Sequence, residues 1–496
     1  MSPDASPRDV AVIDVGSNSV RLVLYRLEGR AIWATYNEKV LAGLGRDLGS
    51  TGKLSPGGVE AAMAALRRFR AVLDATRPAE VFAAATAAVR DAEDGGAFVE
   101  RVKAETGLSL RIISGEEEAR YAALGVLAGA PDGAGVVGDL GGASLELTRL
   151  DENGPGEGVS LALGPFSLGF SYGDDARKLR RRIEAQVAEV ADRFQAETFQ
   201  AVGGAWRNLA LLHMGVSNYP LKIVHEYEMS RSEALTAARL ISQLSPSSLE
   251  RIPGVSRKRL ETLPFAAVVL EVLVEQLGIR RILTSAYGLR EGLLFEAMEP
   301  KVRAQDPLVA GCAALGGRFA TDEDLGPALE TWLEPVFASL PGGFGDRDRV
   351  LTAAACRLAD LGATLHPDHR ATLVFEQVLR APIAGQTHPE RAYLAVAAFY
   401  RHTAHADLPE PLTVVRILPE AHRKRARALG AAIRLGCDLS GRSSALLKHA
   451  RIALADGKLL LTTDPKWADM LLGEQTKRRA QALAGALGVR LEIRPG

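Results

Sequence analysis

Residues 11–22 read AVIDVGSNSVRL, and residues 136–147 read VVGDLGGASLEL. Both segments run through an apolar strand, an aspartate, an apolar residue, a glycine, small residues, a serine and a second apolar strand. At one constant offset, the matching pairs are Asp14 and Asp139, Gly16 and Gly141, Ser19 and Ser144, Leu22 and Leu147. Each segment is predicted to be a β-hairpin with a tight turn. Because the unit occurs twice, the sequence predicts two related α/β lobes.

Outward from the two hairpins, strand and helix patterns alternate, as expected of an α/β fold. Helices are predicted at Pro56–Leu73, Ala97–Glu105, Asp174–Gln195, Arg231–Gln243 and Gly288–Glu296, with a further helix opening at 114–120. Strands are predicted at Glu80–Ala84, Leu110–Ile113, Phe199–Gly204 and Ile279–Thr284.

After Pro307 the pattern becomes helical and rich in alanine and leucine as far as Leu435. The tail then predicts a hairpin with an Asp456-Gly457 turn, a helix at Trp467–Leu487 and a strand at Val489–Ile493. We therefore expect four domains: two lobes at 1–130 and 131–303, a helical domain at 304–440 and a small α+β domain at 441–496.

Composition narrows the class of protein. The 496 residues carry 60 basic and 60 acidic side chains, and a nucleic-acid binder usually has a basic excess. There is no signal-peptide pattern and no run of apolar residues long enough to cross a membrane. The three cysteines form no C-x-x-C pair and are interpreted as small buried side chains in a reducing compartment. We expect a cytoplasmic protein, a homodimer, that contacts neither nucleic acid nor membrane.

The two hairpin turns are candidate phosphate sites. A Gly/Ser/Asn turn exposes backbone N–H groups and hydroxyls that bind phosphate oxygens, and two facing turns grip a phosphate chain from both sides. The candidate phosphate-binding residues are Gly16, Ser17, Asn18 and Ser19 in one turn, and Gly141, Gly142, Ala143 and Ser144 in the other. Asp14 and Asp139, with Asn18 as a helper, supply the hard oxygen ligands that Mg²⁺ prefers.

Three consecutive acids, Glu116, Glu117 and Glu118, follow Ser114 at the predicted start of a helix. One interpretation is a solvated acidic turn that stabilises the positive end of the helix. The other is that one carboxylate orients or deprotonates a water molecule for attack on phosphorus. Spacing alone leaves both open.

Two arginines follow candidate strands. Arg90 and Arg290 are each placed to contact phosphate in a bidentate manner, or else to form surface salt bridges. Basic runs at Lys178–Arg182, Arg257–Arg259 and Arg423–Arg427 are interpreted as solvated helix faces, with a track for a polyanion as the alternative. The chain contains no P-loop motif, no G-x-S-x-G nucleophile elbow and no H-E-x-x-H motif.

Taken together, five motifs resemble the exopolyphosphatase / guanosine pentaphosphate phosphohydrolase (Ppx/GppA) family, within the superfamily of sugar kinases, actin and heat-shock chaperone ATPases. The motifs are DVGSNS at 14–19, ATAAVR at 85–90, ISGEEEAR at 113–120, DLGGAS at 139–144 and GLREG at 288–292. The resemblance implies two actin-like (ribonuclease H-like) lobes, an HD-like helical domain and a small tail domain.

The resemblance also implies roles for single residues. The catalytic base is the glutamate directly before Ala-Arg, which is Glu118 here. The two Asp-x-Gly loops bind phosphate and Mg²⁺, and Arg90 contacts phosphate. The implied substrate is inorganic polyphosphate, with guanosine penta- or tetraphosphate as the alternative.

Three positions depart from the family pattern. Ala143 stands where a third glycine is usual, so its methyl group either crowds a phosphate or stiffens the loop. The segment 202–206 matches a Gly-x-Ser-Gly-Thr turn only loosely, and Gly204 alone is carried over. The helical domain has Ala359-Asp360 in place of a His-Asp pair, with His369 and His402 remaining, so no second metal centre is expected.

The sequence thus favours an exopolyphosphatase that releases orthophosphate with Glu118, two loops and Mg²⁺. Guanosine pentaphosphate hydrolysis, phosphate transfer to a nucleoside diphosphate and a non-catalytic nucleotide sensor that uses the same cleft remain alternatives. The basic cluster at 423–427 is the candidate contact for long chains.

Overall fold

The computed structural model describes residues 6–170, 175–244, 248, 262–318, 320–404 and 407–495. The chain divides into two compact units, Met1–Ala304 and Gln305–Gly496. Within the described residues, no helix combines the length and the apolar character needed to cross a membrane. The finer divisions predicted within the units, at 130/131 and 440/441, stay predictions. The basic run Arg257–Arg259 and His405 lie outside the described residues.

The first unit contains two β-sheets built on one plan. The first sheet has the strands β1 (Arg8–Val15), β2 (Val20–Glu28), β3 (Ala31–Val40), β4 (Glu80–Ala85) and β5 (Arg111–Ile112), in the order β3-β2-β1-β4-β5. The second has β6 (Gly135–Leu140), β7 (Leu145–Asp151), β8 (Gly154–Leu161), β9 (Thr198–Val202), β10 (Tyr227–Ser230) and β11 (Arg281–Thr284), in the order β10-β11-β9-β6-β7-β8.

The two sheets share their connections as well as their order. In each, the first hairpin strand pairs antiparallel with the second and parallel with a later strand, β4 or β9. The order β3-β2-β1-β4-β5 therefore matches β8-β7-β6-β9-β11, and β10 adds one antiparallel strand at the edge. The strand order confirms the internal repeat and the two α/β lobes that residues 11–22 and 136–147 predict.

Helices connect and cover these strands. They are α1 (Leu48–Thr51), α2 (Pro56–Thr76), α3 (Ala87–Asp91), α4 (Gly95–Thr106), α5 (Gly115–Gly129), α6 (Ala176–Ala188), α7 (Gly204–Val216), α8 (Arg231–Gln243), α9 (Leu263–Gln276), α10 (Leu289–Ala297) and α11 (Pro300–Arg303). The strand segment Val10–Ile13 is fully buried on both faces, as expected of a central strand between helical layers.

One predicted helix of this unit is too long. The prediction extends to Gln195, but α6 ends at Ala188 and a 3₁₀ turn follows at Ala191–Arg193. Val190 and Phe194, on either side of this tighter turn, are both buried in the core.

The second unit is helical and ends in a small sheet. Its helices are α12 (Pro307–Gly317), α13 (Leu325–Phe337), α14 (Arg347–Arg357), α15 (Pro367–Arg380), α16 (His388–His402), α17 (Pro411–Ile417), α18 (Glu420–Ser440), α19 (Ser444–Leu447), α20 (Ala468–Leu471) and α21 (Glu474–Leu487). Its strands are β12 (Ala450–Ala455), β13 (Lys458–Thr463) and β14 (Arg490–Pro495), in the order β12-β13-β14.

The terminal hairpin has the predicted bounds. Asp456 and Gly457 have φ values of 51° and 67°, the left-handed pair that a tight two-residue hairpin turn requires. The prediction of a single helix at Trp467–Leu487 is wrong, because the segment forms two helices, α20 and α21. Gly473 is the residue before the first turn of α21. The three cysteines are buried, as predicted.

Candidate active site

The two repeated hairpins end in turns of the same geometry. The Gly16 N–H donates to the Ser19 carbonyl at 3.0 Å, and the Gly141 N–H donates to the Ser144 carbonyl at 2.9 Å. The turns also meet: a methyl group added at Gly142 would lie 3.2 Å from the Cβ atom of Ser17. The close approach of the two loops therefore favours glycine at position 142, because a side chain there would force its neighbours to shift.

Two rows of polar side chains cross the sheets beside these turns. Asp14 lies opposite Arg21, which lies opposite Lys39 on the next strand. In the second lobe Asp139 lies opposite Glu146, which lies opposite Ser160. Directly opposed residues of an antiparallel pair project from the same face of a sheet. The repeat thus places two cations beside one aspartate, and a carboxylate and a hydroxyl beside the other.

Both rows contribute to one polar cleft within the first unit. The predicted site residues that line it are Asp14, Gly16, Ser17, Asn18, Ser19, Glu118, Asp139, Gly141, Gly142, Ser144, Gly204 and Arg290. Four charged residues that the sequence did not single out line it as well: Arg21, Lys39, Glu146 and Arg207. The repeat itself could have indicated Arg21 and Glu146, because each lies two residues after the repeated serine, in the second strand of its hairpin.

A third glycine loop borders the cleft at the start of α7. Gly203 has φ 107°, and a methyl group there would lie 2.9 Å from the Asp139 Oδ1 atom. Only glycine fits such a position. The N-terminus of this 13-residue helix therefore opens at the cleft, where its free N–H groups favour an anion.

The three consecutive acids of α5 point to different surroundings. Glu117 forms a capping box with Ser114, in which each side chain accepts a hydrogen bond from the other residue's backbone N–H. Glu116 is exposed. Glu118 lines the cleft. The helix-stabilising interpretation therefore fits Glu117, and Glu118 is the one of the three acids that lines the cleft.

Arg90 is paired with Glu118. Its Nη1 donates to the Glu118 Oε2 at 2.9 Å and to the Ile113 carbonyl at 3.3 Å, while its Nε donates to Asp91 at 3.0 Å. The arginine side chain is only 19% exposed. Arg90 therefore acts on the cleft through its ion pair with Glu118.

Burial changes the acidity of the carboxylates in the cleft. It raises the pKa of Glu118 to about 7, against the opposing effect of Arg90. Burial and then the negative charge of Glu118 raise the pKa of Glu146 well above its usual value, and the Ser160 hydroxyl donates to Glu146 Oε1 at 2.8 Å. Burial also raises the pKa of Asp14. Glu118 and Glu146 are neighbours with raised pKa values, and such a pair of carboxylates shares one proton near neutral pH. The contact with Arg90 favours Glu118 as the ionised member of the pair.

The cations of the cleft act on one another. Burial, followed by the charges of Arg290 and Arg207, lowers the pKa of Arg21 to about 10. Burial lowers the pKa of Arg290, but Glu291, Tyr25 and Asp14 raise it more, so the net direction is upward. Glu291 also fixes this segment, because its carboxylate accepts from the Tyr25 hydroxyl at 2.6 Å and from the Gly288 N–H at 3.0 Å. Closely spaced cations are what a chain of phosphates would neutralise.

Ala143 does not project into the cleft. Its side chain is 3% exposed, and its carbonyl accepts from the Gly164 N–H at 3.0 Å and the Ser167 hydroxyl at 2.6 Å. Its φ is not positive, so alanine costs no backbone strain there. The structure thus places the methyl group in the protein interior, away from a phosphate.

Most basic side chains of the runs contact their own unit. Arg425 donates to the Phe337 and Pro341 carbonyls, both at 3.0 Å, and its side chain is 8% exposed. Arg423 and Arg427 also donate to backbone carbonyls, while Lys424 forms an exposed pair with Glu420. In the run at 178–182, Arg180 pairs with three glutamates. These contacts favour a structural role over a polyanion track.

The carboxylates of the cleft are also possible ligands of a metal ion. In the part of the chain that the structure describes, no three His, Cys, Asp or Glu side chains converge to hold a metal by themselves. Asp14 and Asp139 nevertheless line the same cleft. Mg²⁺ commonly takes one or two carboxylates and completes its shell with phosphate oxygens and water, so these residues fit Mg²⁺ that arrives with substrate.

Known proteins resemble this chain over both units. Residues 25–301 match the model of the Ppx/GppA phosphatase family, and residues 342–493 match the model described as exopolyphosphatase, C-terminal. Exopolyphosphatase 1 of Mycobacterium tuberculosis is 27% identical over 304 residues, which cover 58% of this chain and 88% of the relative.

Solved structures match more than half of the chain. The Ppx/GppA family member of Aquifex aeolicus is 26% identical with a TM-score of 0.52, covering 58% of this chain and 97% of that one. An exopolyphosphatase of Cytophaga hutchinsonii shares the fold, with 21% identity and a TM-score of 0.54 over 59% of this chain and 98% of that one. Because the first family model spans more than half of the sequence, the chain belongs to the Ppx/GppA phosphatase family.

Proposed function

We propose that this protein is an exopolyphosphatase, which hydrolyses the terminal phosphoanhydride bond of inorganic polyphosphate and releases orthophosphate. The observation that carries the proposal is one carboxylate, Glu118, held by Arg90 in a cleft that also contains two glycine-rich turns and four further cations. Catalysis of phosphoryl transfer depends mainly on positioning and charge neutralisation, and this cleft supplies both.

In this proposal Glu118 accepts a proton from the water that attacks the terminal phosphorus. A bond forms from the water oxygen to phosphorus, and the bond from phosphorus to the bridging oxygen breaks. Orthophosphate and a chain one unit shorter result. Burial and the negative charge of Glu118 raise the pKa of Glu146 well above its usual value, which favours a neutral Glu146 that adds no second negative charge beside the substrate.

Arg21, Lys39, Arg207 and Arg290 bind the phosphate oxygens, together with the N–H groups of the two hairpin turns and of Gly204. Bound Mg²⁺ would neutralise phosphate charge and help to orient the terminal group. Asp14 and Asp139, with Asn18 beside Asp14, are the residues that would hold it. Binding of metal and substrate together fits a cleft whose described residues form no preformed cage of three carboxylates.

The similarity to exopolyphosphatases supports polyphosphate as the substrate. Exopolyphosphatases occur among both the sequence relatives and the structural neighbours, and the match at residues 342–493 carries the same description. Guanosine pentaphosphate also ends in a phosphoanhydride and is the runner-up. Orthophosphate release from long-chain polyphosphate and from guanosine pentaphosphate, measured side by side, tests the choice. A higher kcat/KM for the nucleotide would overturn it.

We further propose that the helical part of the second unit is an HD-like domain that has lost its metal site. Asp360 is ion-paired with Arg442 at 3.6 Å, and the His402 ring donates to the Leu361 carbonyl at 3.0 Å. Burial, with Arg401 nearby, lowers the pKa of His402 to about 3. A cytoplasmic location and a homodimer remain predictions.

A further inference from the structure

Two arginines and two aspartates lie around the buried Cys437 in the second unit, where α16 and α18 pack so closely that a Cβ atom added at Gly430 would lie 3.0 Å from the Arg401 backbone nitrogen. The charges of Arg401, Asp360, Arg442 and Asp438 all act on its thiol. Arg434 lies one turn before Asp438 on α18. The charges of Arg479, Asp438 and Arg401 act on its guanidinium group. We call Arg401, Arg434, Arg442 and Arg479 the arginine cluster. Arg401 lies on α16, Arg434 on α18 and Arg479 on α21, while Arg442 is the second residue after the end of α18.

Two members of the cluster have carboxylate partners. Arg479 Nε donates to Asp438 Oδ2 at 2.7 Å, and Gln475 donates to the same oxygen at 3.2 Å. Arg442 Nη1 lies 3.6 Å from Asp360 Oδ1. Each aspartate therefore neutralises one arginine.

Arg401 and Arg434 have no carboxylate within ion-pair distance among the described residues. Arg401 is 5% exposed, and its Nε donates to the Ala359 carbonyl at 3.2 Å. Its Nη2 and the Nη1 of Arg434 are buried without a hydrogen-bond partner in the described part of the chain. Two positive charges, each with a buried N–H group that bonds to nothing, are left over.

Such an arrangement is costly without a ligand. A buried charged donor without an acceptor loses its hydration and gains nothing in return. Burial, with Arg479 nearby, already lowers the pKa of Arg434 to about 10. Arg442 also holds φ 65°, a strained value for a residue with a side chain, and such strain tends to be retained at functional sites.

We propose that the arginine cluster binds a tetrahedral dianion, a phosphate group, between Arg401 and Arg434. Orthophosphate has the charge that neutralises the two unpaired arginines and accepts hydrogen bonds on every oxygen. A metal cation would be repelled by the excess of positive charge. The group can come from free orthophosphate or from a phosphate of a polyphosphate chain. The site belongs to the second unit alone and does not depend on the proposed activity of the cleft.

The test is calorimetric titration of the full-length chain with orthophosphate at constant ionic strength. Arg434→Met removes the charge from a half-buried helical side chain and keeps its apolar length. Arg349→Met removes an 82% exposed arginine of the same unit as the matched control. We expect the Arg434→Met protein to lose one phosphate site, or at least about 10-fold in its affinity. The control should keep the wild-type titration.

A second variant guards against misfolding. Arg434→Lys keeps the charge but loses the guanidinium fork, so the site should remain with weaker affinity. Titration with tripolyphosphate, in EDTA and in the Glu118→Gln background to prevent turnover, distinguishes the source of the phosphate. Loss with both ligands indicates that free orthophosphate suffices, and loss with tripolyphosphate alone indicates a chain phosphate.

The cleft and the cluster give separable results. A phosphate site removed by Arg21→Met belongs to the cleft, and one removed by Arg434→Met belongs to the cluster. If neither Arg434 variant changes the binding of either ligand, the unpaired nitrogens are only hydrated and the proposal is overturned.

Discussion

Arg90 Nη1 donates to Glu118 Oε2 at 2.9 Å, and this ion pair favours the ionised form of the proposed catalytic base. Burial raises the pKa of Glu118 to about 7, while Arg90 opposes the rise. A base acts only when ionised, so kcat/KM should increase as pH rises through about 7. An activity that is flat between pH 5 and 9 would contradict this assignment.

Removing the arginine should move that pH profile. In Arg90→Met the opposing positive charge is lost, so the pKa of Glu118 rises further, by about one unit or more. The acid limb of kcat/KM therefore shifts to higher pH, and part of the activity lost at neutral pH returns in alkaline buffer. Arg67→Met, which removes an exposed arginine paired with Glu105, serves as the control and should leave the limb in place.

The metal requirement is tested through the two aspartates. Asp14→Asn and Asp139→Asn remove one hard anionic oxygen each, so the Mg²⁺ concentration for half-maximal rate should rise about 10-fold or more. Asp151→Asn is the control, because Asp151 is exposed and asparagine can still accept the Asn153 N–H bond. Full activity of the wild-type protein in excess EDTA would show that no metal is needed.

Ala143→Gly tests whether the unusual alanine limits the substrate. Because the methyl group is buried and φ is not positive, glycine should leave kcat and KM close to wild type. It should lower the free energy of unfolding by about 1 kcal/mol, through chain entropy and the lost methyl contact. A large gain in kcat/KM would show instead that the methyl group crowds a phosphate.

The first unit should hydrolyse a short substrate by itself. The Ppx/GppA phosphatase family model matches residues 25–301, which lie within this unit and include the cleft. Residues 1–304 should therefore fold and release orthophosphate from tripolyphosphate. We also predict a greater loss on long chains, with a weaker salt dependence, since longer chains make contacts outside the cleft. Equal proportional losses on both substrates across a salt series would mean that the second unit is only structural.

Much of this site was predictable because it lies in a repeat. The Asp-x-Gly turns are local features, and their glycines and serines fix the hairpin without help from distant residues. Glu118 was identified by resemblance, whereas its spacing left Glu116 and Glu117 equally plausible. Only the tertiary structure separates them, since the helix turns one acid back to its cap and one to solvent.

The remaining cleft residues depend on strand register. Lys39 enters the site because β3 pairs with β2 so that it lies opposite Arg21, and no local motif marks it. Arg207 follows a loop that matches the family pattern poorly. The basic run at 423–427 shows the reverse problem: its charges are adjacent in sequence, but the helix directs the three arginines to different carbonyls. Charge clustering in sequence is thus weak evidence for clustering in space.

The most direct test of the proposed catalytic role is the steady-state release of orthophosphate from long-chain polyphosphate by three proteins in Mg²⁺: wild type, Glu118→Gln and Glu117→Gln. Glutamine keeps the shape of the side chain but cannot take a proton. We predict that Glu118→Gln lowers kcat by about 10²-fold or more with substrate binding largely kept, and that Glu117→Gln stays close to wild type. If Glu118→Gln kept its activity while Glu117→Gln abolished it, the account of this active site would be wrong.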